Sequence, residues 1–587
     1  MSKESSNDNL SYDSRDYGSH TNLSTSPEPE KQQSGGSKWK SFRDSFKPAE
    51  REEVSDDQSI DSMERAVRKT ANSSLKSSIN PVSQAFIALG GCVGSGLLVV
   101  SGQALAAGGP AGILIGWAIV SSFLYCVMQA LAELSSTFPV SGAFAVYATR
   151  FVDPSFGFAA GWNYAMFWVV VLPLELVAAS LAIEFWNSNI NTVVWVAIFY
   201  VLILGLNLFG TAGFAYTELV ASILKLLGVV GFDILAIVLI CGGGDAGYIG
   251  AKYWHDPGAF SHGFKGVVSV LVTATYSLAG TELVALTAAE SSTNPRIALP
   301  SAIKMVFYRI IIFYMLTLTL IAFLVPYTED RLTSGDSAFA SPFVIAIQNG
   351  GITALPSIFN VVVIISLLSI GNSAVYGFSR TILSLAEQGL APKIFTYVDR
   401  NGRPLVGFLT SAIVGLMAFV AASPKQGEVF AWLVALSALS TLFTWASCTL
   451  GHVRFRAAMK RQGRPLTELP YLSKTGVWGS VYATVCLTVV LCLQFWVSLF
   501  PLGSDPDATV FFKNYLGAVI VLCFYLGHKL YTGFWKKRWT FLVPLSAMDI
   551  DTGRCETDFD KLQQELSEEK AALKAKPWYK RVYHFLF

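Results

Sequence analysis

Four glycines interrupt the first long apolar stretch of the sequence. The stretch Ala88–Ser101 reads ALGGCVGSGLLVVS and places glycine at positions 90, 91, 94 and 96. Glycine in a helix interior is about 1 kcal/mol less favourable than alanine, so this spacing predicts a break in a membrane-length helix. Broken backbone is tolerated at membrane depth only where protein buries it or where it lines a polar cavity. The glycines therefore predict a binding site for a polar molecule.

A second stretch of this kind lies in a later apolar segment. Tyr276–Glu282 reads YSLAGTE, and a glutamate in a spanning helix normally faces the protein interior. Two interrupted helices five spans apart are typical of an inverted repeat with discontinuous helices. The alternative is that these glycines only allow close helix packing, as small residues do in membranes.

The two helix breaks offer complementary chemistry. Where a helix restarts, after Gly94-Ser95-Gly96, free amides and the positive end of the helix dipole suit a carboxylate. Where a helix ends, between Tyr276 and Ala279, unpaired carbonyls can accept an ammonium group. Together they predict a site for a zwitterion, whose side chain would be sorted by Tyr276, Ser277, Thr281 and neighbouring spans.

Three titratable side chains within apolar segments are candidates for carrying a proton. Lys225 lies about 10 Å into its span at 1.5 Å per residue, and desolvation would favour its neutral form; the alternative is that it reaches the cytosolic surface. Glu282 follows the second break, and Glu175 follows Pro173. Each acid could instead be a hydrogen-bonded structural group.

Two further charged residues lie in the apolar segments. Asp233 could belong to a polar pocket or to an outer vestibule. Arg309 lies near a helix end, and we expect it to reach the membrane surface.

Composition places these residues in a membrane protein. Of 587 residues, 52% are hydrophobic and 14% are charged, against about 25% charged in ordinary soluble domains. The eight cysteines show no metal-ligand spacing, and no nucleophile–base set or phosphate-binding loop is visible. The sequence therefore predicts a polytopic membrane protein without a metal or cofactor, and not an enzyme.

Apolar segments of about 20 residues, the length that spans a bilayer, recur from residue 85 onward. We predict twelve spans, near 85–106, 112–134, 160–185, 192–209, 218–241, 267–290, 303–325, 354–378, 405–422, 429–451, 477–500 and 514–531. With cytosolic termini, the inner loops carry twelve Lys and Arg residues and the outer loops five. Both tails are therefore predicted to be cytosolic, and no cleaved signal peptide precedes the first span.

The predicted transporter domain, 85–531, lies between two tails. Residues 1–84 are polar and are predicted to be a mostly disordered cytosolic tail. Residues 532–587 form the second tail, where Phe559–Lys574 has the apolar spacing of a short amphipathic helix.

Several motifs resemble those of the fungal amino acid permeases, which belong to the amino acid–polyamine–organocation superfamily. They are Gly90–Leu97, Phe138–Gly142, Arg150–Gly157, Leu172–Glu175, Asn294–Arg296, Gly371–Ser373 and Asp399–Val406. The segment 241–260 and the tail from Met548 to Lys570 are most similar to the general amino acid permeases of yeasts.

The resemblance implies an all-α membrane protein with twelve helices in a five-plus-five inverted repeat, helices 1 and 6 being discontinuous. It further implies proton-coupled import of amino acids at the plasma membrane, reached through the secretory pathway. In bacterial relatives a lysine matching Lys225 does the work of a sodium ion. Carried over by position, the substrate site comprises Cys92, Gly94, Ser95, Gly96, Tyr276, Ser277, Ala279, Gly280 and Thr281.

The resemblance also bears on partners and on alternatives. Fungal permeases of this type are removed from the surface after ubiquitin attachment, so the lysines at 3, 31, 38, 40 and 47 are candidates for modification by ubiquitin ligases. Ile79–Gln84 departs from the basic stretch that usually precedes the first span. We expect an importer of broad amino acid range; the alternatives are a permease of narrower range and a permease-like sensor that does not transport.

Overall fold

The computed structural model describes residues 43–49, 75, 79–91, 93–140, 142–186, 189–288, 290, 295–332, 341–422, 426–503, 505–535, 537, 539 and 541–554, with single positions between 564 and 577. The residues from Phe46 onward form one unit, to which the following description is confined. Regular structure in this described part is helical, apart from an isolated β-bridge between Pro48 and Asp399.

Seventeen α-helices of the described residues are numbered here in chain order. They are α1 Pro81–Gly90, α2 Ser101–Thr137, α3 Ala143–Phe151, α4 Pro154–Ile183, α5 Thr192–Asn207, α6 Gly210–Ile240, α7 Lys252–His255, α8 Gly263–Leu278, α9 Leu283–Ala288, α10 Pro295–Tyr308, α11 Thr317–Leu324, α12 Pro342–Asn349, α13 Leu355–Glu387, α14 Leu405–Gly415, α15 Gln426–Arg461, α16 Gly476–Leu499 and α17 Ala508–Phe534. Two π-helical segments, Gly96–Val100 and Arg309–Leu316, lead into α2 and α11.

Nine helical stretches among the described residues are long and apolar enough to cross a bilayer, and two shorter apolar helices, Thr192–Asn207 and Leu405–Val420, accompany them. The prediction of an all-helical membrane protein is confirmed. Twelve spans and a five-plus-five repeat stay predictions.

The first predicted break coincides with a change in helical structure. Helix α1 ends at Gly90, and helical structure resumes as the π-helical turn at Gly96. The long helix α2 then bends at Gly109, whose φ of 73° is in the left-handed region, immediately before Pro110. Glycine adopts this conformation without strain, and proline cannot donate the helical hydrogen bond. The bend separates the first predicted span from the second.

The second predicted break is likewise non-helical. Helix α8 ends at Leu278, and α9 begins at Leu283. Between them Ala279 is extended, and Gly280 has a φ of 83°, which favours glycine. The chain therefore turns at the predicted position within Gly263–Thr287, a stretch long and apolar enough to cross a bilayer; that this stretch is a broken span stays a prediction.

Segment 541–554, after the last predicted span, packs against α3 and α15. Arg150 donates to the carbonyls of Asp549 at 2.6 Å and Thr552 at 2.8 Å, and the Val543 amide donates to the Val152 carbonyl at 3.0 Å. Most of the predicted amphipathic helix Phe559–Lys574 lies outside the described residues.

Candidate functional site

Ser95 connects the two breaks with α4. Its hydroxyl lies 2.5 Å from Glu175 Oε1, to which it donates, and 2.7 Å from the Tyr276 hydroxyl. Because Ser95 donates to Glu175, the Tyr276 hydroxyl is the donor to Ser95. All three side chains are buried. Three predicted site residues from distant parts of the sequence therefore form one hydrogen-bonded chain.

No side chain caps the helix restart at Gly96. Ser95 precedes the helical turn but gives it no side-chain cap, because its hydroxyl bonds to Glu175 and Tyr276 instead. The first amides of a helix have no intrahelical acceptor, so they can bind an anionic group. Glu175 Oε2 and the Ser277 hydroxyl are buried and without a hydrogen-bond partner among the described residues. The site therefore holds polar groups with free capacity.

The glycines allow the backbones to approach closely. A Cβ at Gly96 would lie 2.4 Å from the Cα of Ser277, and one at Gly90 would lie 2.8 Å from the Cα of Ser222. At Gly94 the nearest atom would be Ile370 Cδ1, 2.4 Å away. Close backbone packing therefore occurs at Gly90, against the middle of α6, and at Gly96, against the end of α8.

The end of α8 differs from the prediction. The carbonyl of Tyr276 accepts from the Ala279 amide at 3.1 Å, that of Ser277 from the Tyr314 hydroxyl at 2.9 Å, and that of Leu278 from the Thr281 hydroxyl at 2.6 Å. The expectation that these carbonyls are unpaired is therefore wrong for three of the four. Each keeps a second lone pair, and the Ala279 carbonyl follows them at the break.

Lys225 is fully buried beside the first break. Its ammonium donates to the Gly90 carbonyl at 2.7 Å, to the Ser369 hydroxyl at 2.8 Å and to Glu218 Oε1 at 3.1 Å. The alternative, in which Lys225 reaches the membrane surface, is excluded by this burial.

Glu218 is a buried acid beside Lys225 that was not predicted from the sequence. Its side chain is fully buried, and its Oε2 accepts from Ser369 at 2.6 Å. Glu218, Ser222 and Lys225 are spaced four and three residues apart, so they share one face of α6. This spacing of an acid and a base within an apolar helix was the available signal.

Glu282 is fully buried and hydrogen-bonded on both oxygens. Oε1 accepts from the Gly280 amide at 3.2 Å, and Oε2 accepts from the Trp445 indole at 3.1 Å. Its donors thus come from the break itself and from α15.

The prediction that Arg309 reaches the membrane surface is wrong. Arg309 is fully buried at the start of the π-helical segment, donates to the Ala88 carbonyl at 2.7 Å, and donates to the Thr281 hydroxyl. Position near a predicted helix end gave the wrong location because the helix packs this residue against both breaks.

Of the two remaining candidate residues, the structure describes Asp233 but not Cys92. Asp233 is buried between α6 and α11, where Oδ2 accepts from Thr317 at 3.0 Å. Cys92 lies outside the described residues.

Two other buried ion networks were not predicted. Glu290 accepts from Arg380 at 2.8 Å, from Tyr376 at 2.9 Å and from Thr211 at 2.6 Å. A second network surrounds Glu133, which accepts from α15 and the following loop; its donors are His452, Arg456 and the Ser473 amide. Among the described residues, no group of three or more His, Cys, Asp or Glu side chains could hold a metal ion.

A match to one protein family and the similarity to three known permeases indicate the same family. Residues 84–540 match the amino acid permease family. The chain is 61% identical over 549 residues to amino-acid permease GAP6 of Candida albicans, covering 93% of this chain and 95% of the relative. It is 50% identical over 559 residues to the general amino-acid permease GAP1 of Saccharomyces cerevisiae, covering 94% and 92%. The general amino-acid permease GAP2 of Candida albicans is 50% identical over 547 residues, covering 92% of each chain. With its apolar helices and these relatives, the chain belongs to the amino acid permease family and is a multi-pass membrane permease rather than an enzyme.

Proposed function

We propose that this permease imports amino acids of broad range together with protons across the plasma membrane, with both termini in the cytosol. The observation that carries the proposal is the polar junction in which Ser95 joins Glu175 to Tyr276 between two broken helices. The similarity to proteins named general amino-acid permeases supports the broad range.

The substrate carboxylate would bind the amides at Gly94, Ser95 and Gly96, where no side chain caps the helical turn. The ammonium would bind near the end of α8, at the Ala279 carbonyl and at the free hydroxyl of Ser277. Cys92, Tyr276, Gly280 and Thr281 complete the proposed contacts. A zwitterion would thus be held by opposite helix ends, and no cofactor takes part.

The proposed proton site centres on Lys225. Its bonds to Gly90 and Glu218 link a titratable group directly to the first break. A buried pair of Lys225 and Glu218 is net neutral in its ionised form, so gaining or losing one proton changes the buried charge by one unit. That change is costly in a membrane interior and could therefore be linked to the conformational cycle. Glu175 and Glu282 are the other proposed carriers.

Uptake measurements test the proposal. Cells lacking their own amino acid permeases would express this chain or its Lys225→Ala variant and receive a panel of radiolabelled amino acids at pH 4.5 and pH 7. We expect broad uptake that is faster at pH 4.5 and is lost in the variant. The matched control is Lys265→Ala, because Lys265 lies at the opposite end of α8 from Tyr276 and its ammonium donates to the Pro501 carbonyl at 3.0 Å.

Other outcomes change specific parts of the proposal. Acid-stimulated uptake that survives in Lys225→Ala would assign the proton to Glu175 or Glu282. Uptake of few amino acids would replace the broad range with a narrow one. Surface-located protein that binds amino acids without moving any would identify a sensor. Ubiquitin attachment to the tail lysines is proposed on the family resemblance and is tested by lysine-to-arginine variants at 3, 31, 38, 40 and 47.

A further inference from the structure

Arg309 is a buried cation whose acceptors are neutral. Arginine stays protonated in proteins, yet this side chain is fully buried and bonds to the Ala88 carbonyl and the Thr281 hydroxyl. No described carboxylate forms an ion pair with it, and its Nε has no acceptor among the described residues. Since an uncompensated buried charge is unfavourable, Arg309 would gain from a nearby carboxylate.

The acceptors of Arg309 belong to two different half-helices. Ala88 lies in the last turn of α1, where carbonyls lack intrahelical donors and the helix dipole is negative. Lys225 binds the same helix end at the Gly90 carbonyl, so two cations from α6 and the π-helical segment hold the end of α1. Movement of α1 away from the break must therefore release Arg309 from Ala88.

Glu282 directly follows Thr281, the side chain that accepts a hydrogen bond from Arg309. On α15, Trp445 donates to Glu282 and Cys448 follows Trp445 by three residues, while α1 carries no ionisable side chain. On α6, Lys225 and Glu218 already pair with each other.

We propose that Arg309 is a positioning residue that exchanges the carbonyl of Ala88 for the carboxylate of Glu282 when α1 moves, and so links proton release from Glu282 to opening of the site. This inference rests on the proposed proton-coupled import and takes Glu282, the alternative carrier to Lys225, as the group that releases the proton. While α1 is in place, Arg309 is held by Ala88 and Thr281, and Glu282 keeps its proton. When α1 leaves, the Glu282 O–H bond breaks, the proton passes to cytosolic water, and the carboxylate pairs with Arg309.

The local backbone allows such an exchange. Arg309 begins a π-helical segment of eight residues, Arg309–Leu316, between two α-helices. Short π-helical segments inside α-helices are frequent at functional sites. Gly280, beside Glu282, gives the facing backbone similar freedom.

Proteoliposomes containing the purified full-length protein provide the test. Radiolabelled amino acid and an internal pH-sensitive dye together give the number of protons carried per amino acid, and exchange of internal for external amino acid without a pH gradient gives transport that needs no net proton movement. We expect Arg309→Gln to keep exchange within about threefold of the parent protein and to lose at least tenfold in gradient-driven uptake, with fewer protons per amino acid. Arg309→Lys should restore part of the coupling because it keeps the charge.

The control is Arg331→Gln, which removes a positive charge that pairs with Glu329 at 2.8 Å in a loop. Unchanged proton coupling in Arg309→Gln would overturn the proposal. Equal loss of exchange and gradient-driven uptake would also overturn it, since that result indicates a purely structural role. If the parent protein itself carried no protons, the proposed function would fail and this inference with it, a result distinct from failure in the variant alone.

Thr281→Val gives a second measurement that does not remove the buried charge. Without the Thr281 hydroxyl, Arg309 has one acceptor fewer and attracts the Glu282 carboxylate more strongly. We therefore expect half-maximal uptake to shift to lower pH by about 0.5–1 unit, the equivalent of one hydrogen bond. An unchanged pH profile in a folded Thr281→Val protein would contradict the exchange.

Discussion

Replacing Gly96 by alanine tests whether the spacing between the two broken helices matters for transport. The new Cβ would lie 2.4 Å from the Cα and 3.2 Å from the amide nitrogen of Ser277. Carbon atoms in contact are normally about 3.5–4.0 Å apart, so the helix ends must separate by more than 1 Å. Backbone atoms cannot rotate out of the way, and forced repacking of this kind costs about 1–3 kcal/mol.

Two matched glycine variants isolate the effect of this contact. At Gly94 the atom in the way is Ile370 Cδ1, which can move by side-chain rotation, and at Gly231 nothing lies within 4 Å of the new Cβ. Initial uptake rates over a range of substrate concentrations would be measured for all three alanine variants, with surface protein quantified. For Gly96→Ala we expect a loss of about tenfold or more in kcat/KM, since 1.4 kcal/mol corresponds to a factor of ten. We expect a smaller loss for Gly94→Ala and none for Gly231→Ala. Equal uptake efficiency for Gly96→Ala and Gly231→Ala would show that the spacing between Gly96 and Ser277 does not matter for transport.

Two further predictions concern charged pairs. Glu218→Gln leaves the Lys225 ammonium buried without its ion partner, so surface expression and thermal stability in detergent should fall. The double variant Glu218→Gln with Lys225→Met should recover stability but not uptake. A double variant no more stable than Glu218→Gln would contradict this prediction. Partial burial opposes ionisation of Asp549, but Arg150 and nearby backbone amides outweigh it and hold the pKa of that carboxyl below its usual range. Because the folded pKa is lowered, this stabilisation is present above the unfolded value of about 3.9 and disappears as the pH falls through the folded value. Asp549→Asn should therefore lower the melting temperature of the purified protein at pH 7, and the difference in melting temperature between parent and variant should narrow below about pH 4. Identical melting temperatures at pH 7 would show that this contact does not stabilise the fold.

The helix interruptions could be predicted because their causes are local. Glycine at 90, 91, 94 and 96 weakens a helix whatever surrounds it, and the structure ends α1 at Gly90. The break at Gly280 follows from the same preference. The meeting of Ser95 and Glu175 was not predicted: Ser95 was expected at the substrate site and Glu175 as a proton carrier, and 80 residues separate them along the chain.

The partners of buried charges could not be predicted, because they depend on tertiary packing. Arg309 lies near a predicted helix end, yet its surroundings are the Ala88 carbonyl and Thr281, which are distant in sequence. Glu290 and Arg380 are 90 residues apart, and nothing in either local sequence indicates their ion pair. By contrast, Glu218 and Lys225 share one helix face, so their pairing was accessible to pattern reasoning.

The position of a bound amino acid is the sharpest test of the proposed zwitterion site. A cryo-electron microscopy structure of the full-length protein with a transported amino acid would be determined at a resolution that distinguishes the carboxylate from the ammonium. We predict that the carboxylate lies within hydrogen-bonding distance of the amides at Ser95 and Gly96, and that the ammonium faces Ser277 and the Ala279 carbonyl. An amino acid bound elsewhere, with the space between the two breaks filled by side chains, would contradict the account.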